Sequence, residues 1–378
     1  MNTKQTKNRC VGWIFLLLVL PSMLLVSCSS QQTGKQEAEP IKIGSILILT
    51  GEGSSWGNAA RRGIDLAVED INAKGGVLGR KLIVNHQDDA SDSKKALSAF
   101  QQLTDVSGVN IVIGTTWSHT GLPLVKLADE KKVLMISPSL GVKEFNEGSK
   151  YLFNTWPHDE ILSSNLADYL FKQGHRKVGL ISTQNVWVQA QTNAFKKRFA
   201  ELGGSIEVLV EPQPTDTDVY SDALKLNVNQ DITAIVSTTD GVLVGTRVAK
   251  QLRNLGSALP MYSISIDGAT IAAAEGAYEG LQFLTFLTPT PEFEQRYKER
   301  FGEDIEIGAD SAYDAVMLLA KAMQATKGTN PEELQAYLHN ITGYTGESGN
   351  LVADGKGAFT KPFAVKQIKN GLQQPVSS

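Results

Sequence analysis

Cysteine is scarce in this 378-residue sequence, and neither an excess of basic charge nor metal-ligand spacing is found in it. Cys10 and Cys28 are the two cysteines. Because Cys10 lies in a segment that we expect to be removed, the mature chain can form no internal disulfide and must be stabilised by its core. The formal net charge is −4 without a basic stripe, which argues against a nucleic-acid partner. The five histidines lack the spacing of metal ligands, so we predict neither a metal nor a cofactor.

The first 27 residues have the pattern of a signal peptide. Three basic residues precede an apolar run at residues 11–20, which Pro21 interrupts, and the run is too short to span a bilayer. Residues 25–28 (LVSC) resemble a bacterial lipobox, which predicts that Cys28 is lipidated. The alternative is an ordinary cleaved signal with a chance cysteine. Residues 28–40 are predicted to be a flexible tether, and we expect an exported protein, lipid-anchored at the periplasmic or extracellular face of a bacterial membrane.

From residue 41 onward, apolar runs alternate with segments of helical period, which indicates an α/β fold with parallel strands buried on both faces. Two successive sets of strand, turn and helix predict two doubly wound, Rossmann-like lobes. We predict lobe 1 at residues 41–155, lobe 2 at 156–285 and a return to lobe 1 at 286–345. Residues 346–378 are predicted to pass through the hinge and add the C-terminal strands of lobe 2.

Local signals predict finer details of this fold. Ser91 is a candidate N-cap of a helix that runs to about Val106. Further helices are predicted over residues 160–172, 191–202 and 220–228. The turn at residues 354–357 (DGKG) suggests a hairpin that joins strands at 350–352 and 362–368.

Three tryptophans, Trp56, Trp117 and Trp187, follow predicted strands. Each indole buries about 150 to 250 Å² when covered, so three of them at loop positions indicate a ligand pocket at the carboxyl ends of the strands. Asp240 and Asp267 also follow apolar strands, and each precedes a glycine. Such a carboxylate either caps the next helix or holds a ligand ammonium, and both interpretations remain open.

Two enzyme-like patterns occur in the first loop. Residues 53–57 (GSSWG) match the G-x-S-x-G elbow of serine hydrolases, with Ser55 as nucleophile, but they follow the first strand and no histidine is marked as the base. Gly51 and Gly53, with Asp88-Asp89 after the second strand, suggest a dinucleotide site, but the spacing to Gly57 is one residue too long. We favour a small turn that faces a ligand.

Several motifs together resemble one family of solute receptors. They are the lipobox, Lys42-Ile43-Gly44, DINAKGGVLG at residues 70–79, Asp88-Asp89, Ile113-Gly114, MISP at residues 135–138 and the acidic residue-glycine turns. This set is similar to the leucine/isoleucine/valine-binding-protein family of ABC transporters, from about Ile41 to the C-terminus. The resemblance implies a type I periplasmic binding protein, with two Rossmann-like lobes joined by a three-stranded hinge, a ligand in the cleft and no catalysis.

The resemblance also implies roles for single residues. Ser118 matches a serine that binds the ligand carboxylate, Ser139 lies where a backbone carbonyl receives the ligand amine, and Asp267 lies where an acid pairs with that amine. Trp56 and Trp187 replace aromatic residues that line the pocket.

Asp240 lies where an aromatic residue is common in the family. Two departures from the family pattern bear on the ligand. Gly141 stands where amino-acid binders have a threonine that contacts the carboxylate, with a bulkier Leu140 beside it, so that anchor is weakened. Trp117 and Trp187 change the volume available to a ligand.

These observations predict a monomeric, extracytoplasmic receptor of an ABC importer. It would capture an amino acid, branched-chain-like or aromatic, or a similar small amphoteric solute by hinge closure, and present it to permease subunits in the membrane. The alternatives are a receptor for an amine-free aromatic or aliphatic carboxylate, a ligand sensor, and a serine hydrolase that uses Ser55.

Overall fold

A computed structural model describes residues 38–239, 243–287 and 289–376, and the chain from Ala38 onward forms a single unit. The predictions for the signal peptide, Cys28 and Asp240 lie outside the described residues.

The strands follow the predicted apolar runs closely. They are β1 (Ile41–Leu47), β2 (Leu82–Asp88), β3 (Ile111–Gly114), β4 (Leu134–Ser137), β5 (Leu152–Asn154), β6 (Lys177–Ile181), β7 (Ser205–Val210), β8 (Ala234–Ser237), β9 (Met261–Ile264), β10 (Gln282–Phe286), β11 (Gly343–Gly346), β12 (Gly349–Ala353), β13 (Phe359–Thr360), β14 (Phe363–Lys369) and β15 (Leu372–Pro375).

The helices alternate with these strands over most of the chain. They are α1 (Ser54–Ala73), α2 (Ser93–Gln101), α3 (Ser118–Gly121), α4 (Val125–Lys131), α5 (Glu160–Lys172), α6 (Val186–Glu201), α7 (Tyr220–Val228), α8 (Val244–Asn254), α9 (Gly268–Ala273), α10 (Pro291–Phe301), α11 (Ala309–Thr326) and α12 (Pro331–Asn340). Among the described residues, none of the helices combines the length and apolarity needed to cross a membrane.

Two large sheets organise the molecule. The first is fully parallel, with the strand order β2-β1-β3-β4-β5. The second has the order β15-β14-β10-β9-β8-β6-β7, in which β14 runs antiparallel to the other strands. Each sheet separates two clusters of buried apolar side chains, so helices cover both faces, as the continuous apolar strands require. The predicted α/β, doubly wound fold is confirmed.

The chain passes between the two sheets three times: after β5, after β10 and between β13 and β14. Near the third passage, Lys361 is buried and its Nζ lies 3.4 Å from Oδ2 of Asp310 at the start of α11. This buried ion pair ties the third passage to a helix that packs against the first sheet.

Three local predictions are wrong. Asp92, and not Ser91, caps α2, because its side chain accepts the backbone N–H groups of Lys94 and Lys95. Helix α6 begins five residues earlier than the predicted start at Gln191.

The third correction concerns the C-terminal hairpin. Residues 354–357 do turn the chain, but β12 pairs with the short β13 in a small separate sheet with β11. The longer β14 pairs with β10 instead.

Candidate functional site

The candidate site lies where the strand order reverses in each large sheet. The reversal falls between β1 and β3 in the first sheet and between β6 and β8 in the second. Loops that leave such strands diverge and open a crevice in which ligands bind. Trp56 follows β1, Trp117 follows β3 and Trp187 follows β6. The structure therefore places the three predicted tryptophans at the two reversal points.

These tryptophans contact one another. The ring of Trp56 lies 6.3 Å from that of Trp117 and 6.5 Å from that of Trp187, and both pairs meet edge to face. Trp187 also packs against the apolar clusters of both sheets. Gly53 makes room for Trp117, because a Cβ at residue 53 would lie 2.6 Å from the indole. We call Trp56, Trp117 and Trp187 the tryptophan cluster; it lies between the two sheets.

Asp267 follows β9 and uses its two carboxylate oxygens in different ways. Oδ1 accepts the backbone N–H of Thr270 at 2.6 Å and caps α9, while Oδ2 accepts the indole N–H of Trp56. The side chain is 3% exposed. Asp267 therefore caps a helix, which is one of the two roles considered from the sequence, and its second oxygen bonds to Trp56 at the cleft.

Ser118 and Ser139 lie buried on the first-sheet side. The Oγ of Ser139 donates to the carbonyl of Thr116 at 2.9 Å, which fixes this side chain within its own lobe. Ser118 begins α3 and is 2% exposed, and its Oγ has no hydrogen-bond partner among the described residues. A buried polar group left unpaired costs about 1–3 kcal/mol, so this hydroxyl is available to a ligand.

Asp159 belongs to the site although sequence patterns did not reveal it. Its carboxylate accepts the indole N–H groups of Trp156 at 2.9 Å and of Trp187 at 2.7 Å. Its backbone N–H donates to the carbonyl of Gly141 at 2.9 Å. A Cβ at Gly141 would lie 1.7 Å from Oδ2 of Asp159. The carboxylate therefore occupies the space into which any side chain at position 141 would extend. Trp156 is buried and helps to hold this carboxylate.

Two carboxyl groups of the site have strongly raised pKa values. Burial raises the pKa of Asp159 to about 7, although the two indole donors oppose the shift. Burial, together with the charge of Asp267, raises the pKa of Glu306 to about 7. Glu306 precedes α11 and accepts the backbone N–H of Gly268 beside Asp267. This contact joins a segment next to the first sheet to a helix of the second.

Within the part of the chain that the structure describes, the enzyme-like patterns do not assemble into catalytic groups. Ser55 lies in the first turn of α1. Asp88 folds the β1–α1 loop by accepting two backbone N–H groups and the hydroxyl of Thr50. The five histidines bond elsewhere: His86 to Ser45 and Asp65, His119 to Ser91, His158 to Asn146, His175 to Thr233 and Tyr262, and His339 to the carbonyl of Lys150.

Comparison with known proteins identifies a family. The sequence model described as periplasmic binding protein matches residues 40–373. A Leu/Ile/Val-binding protein homolog of Brucella melitensis is 30% identical over 189 residues, which are 49% of this chain and 51% of the relative. The match thus spans about half the length of that curated relative.

Solved structures share the fold over nearly the whole chain. A leucine-binding protein of Thermotoga maritima superposes with a TM-score of 0.81 at 26% identity and covers 89% of this chain and 98% of its own. A branched-chain amino acid transporter substrate-binding protein of Streptococcus pneumoniae, in complex with isoleucine, has the same score and coverage at 25% identity. These likenesses confirm the type I periplasmic binding protein fold. Because the family model spans most of the sequence, the chain belongs to the periplasmic binding proteins, in the leucine/isoleucine/valine-binding family, and is a solute-binding protein, not an enzyme.

Proposed function

We propose that this protein is the exported receptor of an ABC importer and captures a small amine-bearing solute, an amino acid or a close relative of one. The observation that carries the proposal is Asp267, a buried carboxylate that reaches the cleft from the second sheet and has no ion-pair partner among the described residues. In this structure the indole N–H of Trp56 donates to it. A ligand ammonium would take the place of that donor, in a charge-assisted hydrogen bond.

Capture would proceed by closure of the two lobes about the three chain passages, with the divisions between lobes near residues 155, 285 and 345. Trp56 with Asp267, and Glu306 with Gly268, connect the two sheets across the cleft. A ligand favours the closed form because it contacts both lobes only there. Ser118 and the tryptophan cluster would contact the solute, and Ser139 would offer its backbone carbonyl. Asp240 stays a predicted contact.

The export route follows from the N-terminal pattern and from the family. We propose that Cys28 carries a lipid that tethers the monomeric receptor to the cell envelope, where it delivers its solute to permease subunits. The relatives support an amino-acid-like solute, since they are named for leucine, isoleucine and valine. An amine-free carboxylate is disfavoured, because it would meet the carboxylates of Asp159 and Asp267.

The first experiment is a thermal-shift panel of L-amino acids, short amides, amines and amine-free acids. Amine-bearing compounds are expected to raise the melting temperature in proportion to the logarithm of their concentration, as for a ligand that binds the folded state. A panel in which only amine-free acids stabilise the protein would overturn the amine-bearing solute.

A substitution tests the role of Asp267 directly. Asp267→Asn keeps the size of the side chain and an oxygen that can cap α9, but it removes the charge. We expect at least about a tenfold loss of affinity for the best amine-bearing ligand, measured by calorimetry. Unchanged affinity in a variant that melts like the wild type would remove Asp267 from the site.

A further inference from the structure

Residue 141 is a glycine, and the carboxylate of Asp159 occupies the space that a side chain at this position would fill. This difference changes which ligands fit. The family resemblance places a threonine there, and its hydroxyl contacts the ligand carboxylate. In this chain the same space holds Oδ2 of Asp159, which can only accept hydrogen bonds when it is ionised. Above about pH 7, where Asp159 is ionised, the group that fills this space repels a negative ligand group and attracts a positive one.

Two carboxylates beside the tryptophan cluster have no basic partner. Asp159 and Asp267 form no ion pair among the described residues. Lys143, close in sequence to Gly141, lies 3.0 Å from Glu160, and Lys361 is paired with Asp310. Lys366 lines a cavity with Lys361, Glu306 and Trp156. The acids without a basic partner at the tryptophan cluster are therefore Asp159 and Asp267.

The tryptophan cluster adds aromatic faces to these acids. Three indoles lie within 6.5 Å of their neighbours in the cluster. The ring of Trp156, near Asp159, is already covered by the ammonium of Lys361 at 5.1 Å. An organic cation is attracted by the face of an indole, most strongly where water is excluded. Ammonium groups are recognised by carboxylates, which accept their hydrogen bonds, together with aromatic ring faces. A carboxylate ligand gains nothing from the ring faces and is repelled by the acids.

We propose that the solute held in this cleft is an organic ammonium cation that carries no carboxylate. This inference rests on the proposed function, because it narrows the amine-bearing solute to one without the second, negative half of an amino acid. Asp267 and Asp159 balance its charge, the tryptophan cluster covers its apolar part, and the free Oγ of Ser118 serves a neutral polar group where the solute has one.

Matched sets of three compounds test the proposal on the unaltered protein. One set is 3-methylbutylamine, L-leucine and 4-methylpentanoate; the other is phenethylamine, L-phenylalanine and 3-phenylpropanoate. Calorimetry at pH 8 is expected to show amine binding at least a hundredfold tighter than binding of the matching amino acid. Equal or tighter binding of the amino acids overturns the cation proposal and leaves the proposed function standing. Binding of the amine-free acids alone overturns both, and failure of both amines to bind overturns the cation proposal.

Two neighbouring charge removals supply a matched comparison. Asp159→Asn is expected to weaken amine binding at least tenfold, because it removes the negative charge that lies against the indole of Trp187 in the tryptophan cluster. Glu160→Gln removes one charge from the next residue, whose partner Lys143 lies at the surface, and is expected to leave affinity unchanged. Equal effects of the two variants would show that overall charge matters and not the position of Asp159.

A third variant replaces the carboxylate beside position 141 with a hydroxyl group that can bind a ligand carboxylate. Gly141→Thr combined with Asp159→Ser restores a hydroxyl at position 141 and removes the acid that fills its space. This protein is expected to prefer L-leucine over 3-methylbutylamine. A double variant that melts cooperatively and still prefers the amine contradicts the proposal, and the wild-type comparison decides the matter where the variant does not fold.

Discussion

Because Gly141 has no side chain, Oδ2 of Asp159 can lie directly against its backbone. Gly141→Ala would place a Cβ 1.7 Å from Oδ2 of Asp159, so the carboxylate must move away from its two indole donors. We expect a loss of about 1–3 kcal/mol in the free energy of unfolding, as for other overpacked sites, measured by urea denaturation.

A second substitution provides the control for Gly141→Ala. Adding Asp159→Ala removes the atom that the new Cβ would meet, so the two changes together are expected to cost less than the sum of the single changes. Strict additivity would mean that the two residues are not in contact.

The raised pKa of Asp159 makes stability depend on pH. The folded-state pKa is about 7 and the ordinary value is 3.8. The folded protein therefore holds this proton where the unfolded chain has lost it. The resulting stability is fully present below about pH 4 and is lost as pH rises through about 7.

Asp159→Asn tests this linkage. Urea unfolding is expected to show that the free energy of unfolding of the wild type falls from pH 5 to pH 7. In the variant this fall is expected to be smaller, by roughly 1.4 kcal/mol per pH unit at most. Burial also raises the pKa of Glu306 to about 7 and that of Asp314 to about 6. These two groups therefore cause part of the fall in stability in both proteins. An identical pH profile in the two proteins would place the pKa of Asp159 near its ordinary value.

Sequence patterns predict some residues of the site and not others. Trp56, Trp117, Trp187 and Asp267 each follow an apolar strand, and parallel strands bring such positions to one edge of a sheet. Asp159 has no comparable local signal, since its role depends on Gly141 from an earlier part of the chain. The sequence shows a glycine at position 141, where the family resemblance implies a threonine. Which side chain fills the space beside Gly141 depends on tertiary packing.

At the scale of single elements, the start of α6 determines where Trp187 lies. The side chain of Asn185 caps this helix by accepting the backbone N–H groups of Trp187 at 2.9 Å and Val188 at 3.4 Å. Asn185→Ala is expected to cost about 1 kcal/mol of stability and to weaken ligand binding, because the first turn that carries Trp187 frays.

Asn330 supplies a matched control for this cap. It caps α12 in the same way by accepting the backbone N–H of Glu332 at 3.0 Å, on a helix that packs against the first sheet and α11. Asn330→Ala is expected to lower the melting temperature similarly and to leave ligand affinity unchanged. Equal losses of affinity in the two variants would mean that general destabilisation, and not the position of Trp187, controls binding.

The elements that sequence predicts best are those with a strong period or a continuous apolar run. Helix α5 begins and ends where its pattern predicts, and α7 does so too. The hairpin at residues 354–357 shows the limit of this approach. The chain turns at these residues as predicted, because the turn depends only on local residues. Strand β14, however, pairs with β10, which lies far away in the chain. The two-residue β13, which completes the hairpin, carries too short a pattern to be recognised.

For the molecule as a whole, alternation of strands and helices is enough to predict two doubly wound lobes, because crossover connections constrain the topology. The three passages between the sheets and the contacts across the cleft depend on how the lobes face each other. The contacts across the cleft include those of Trp56 with Asp267 and of Glu306 with Gly268, which join residues far apart in the sequence.

Trp56 provides a test of closure because its indole N–H donates across the cleft to Asp267. Trp56→Phe keeps an aromatic ring and removes that donor. A hydrogen bond to a charged group contributes about 1.5–3 kcal/mol, so its loss shifts the balance between closed and open forms by roughly ten- to a hundredfold. Small-angle scattering of the unliganded variant is expected to give a larger radius of gyration than the wild type.

A control removes a hydrogen bond that does not cross the cleft. The hydroxyl of Tyr169 on α5 donates to Gln282 on β10 at 2.7 Å, within the lobe of the second sheet. Tyr169→Phe is therefore expected to leave the radius of gyration unchanged. Saturating ligand is expected to bring wild type and both variants to one compact value, because the ligand itself then connects the lobes. Equal radii for Trp56→Phe and wild type without ligand would show that the Trp56–Asp267 bond does not hold the lobes together, which would leave closure to the ligand alone.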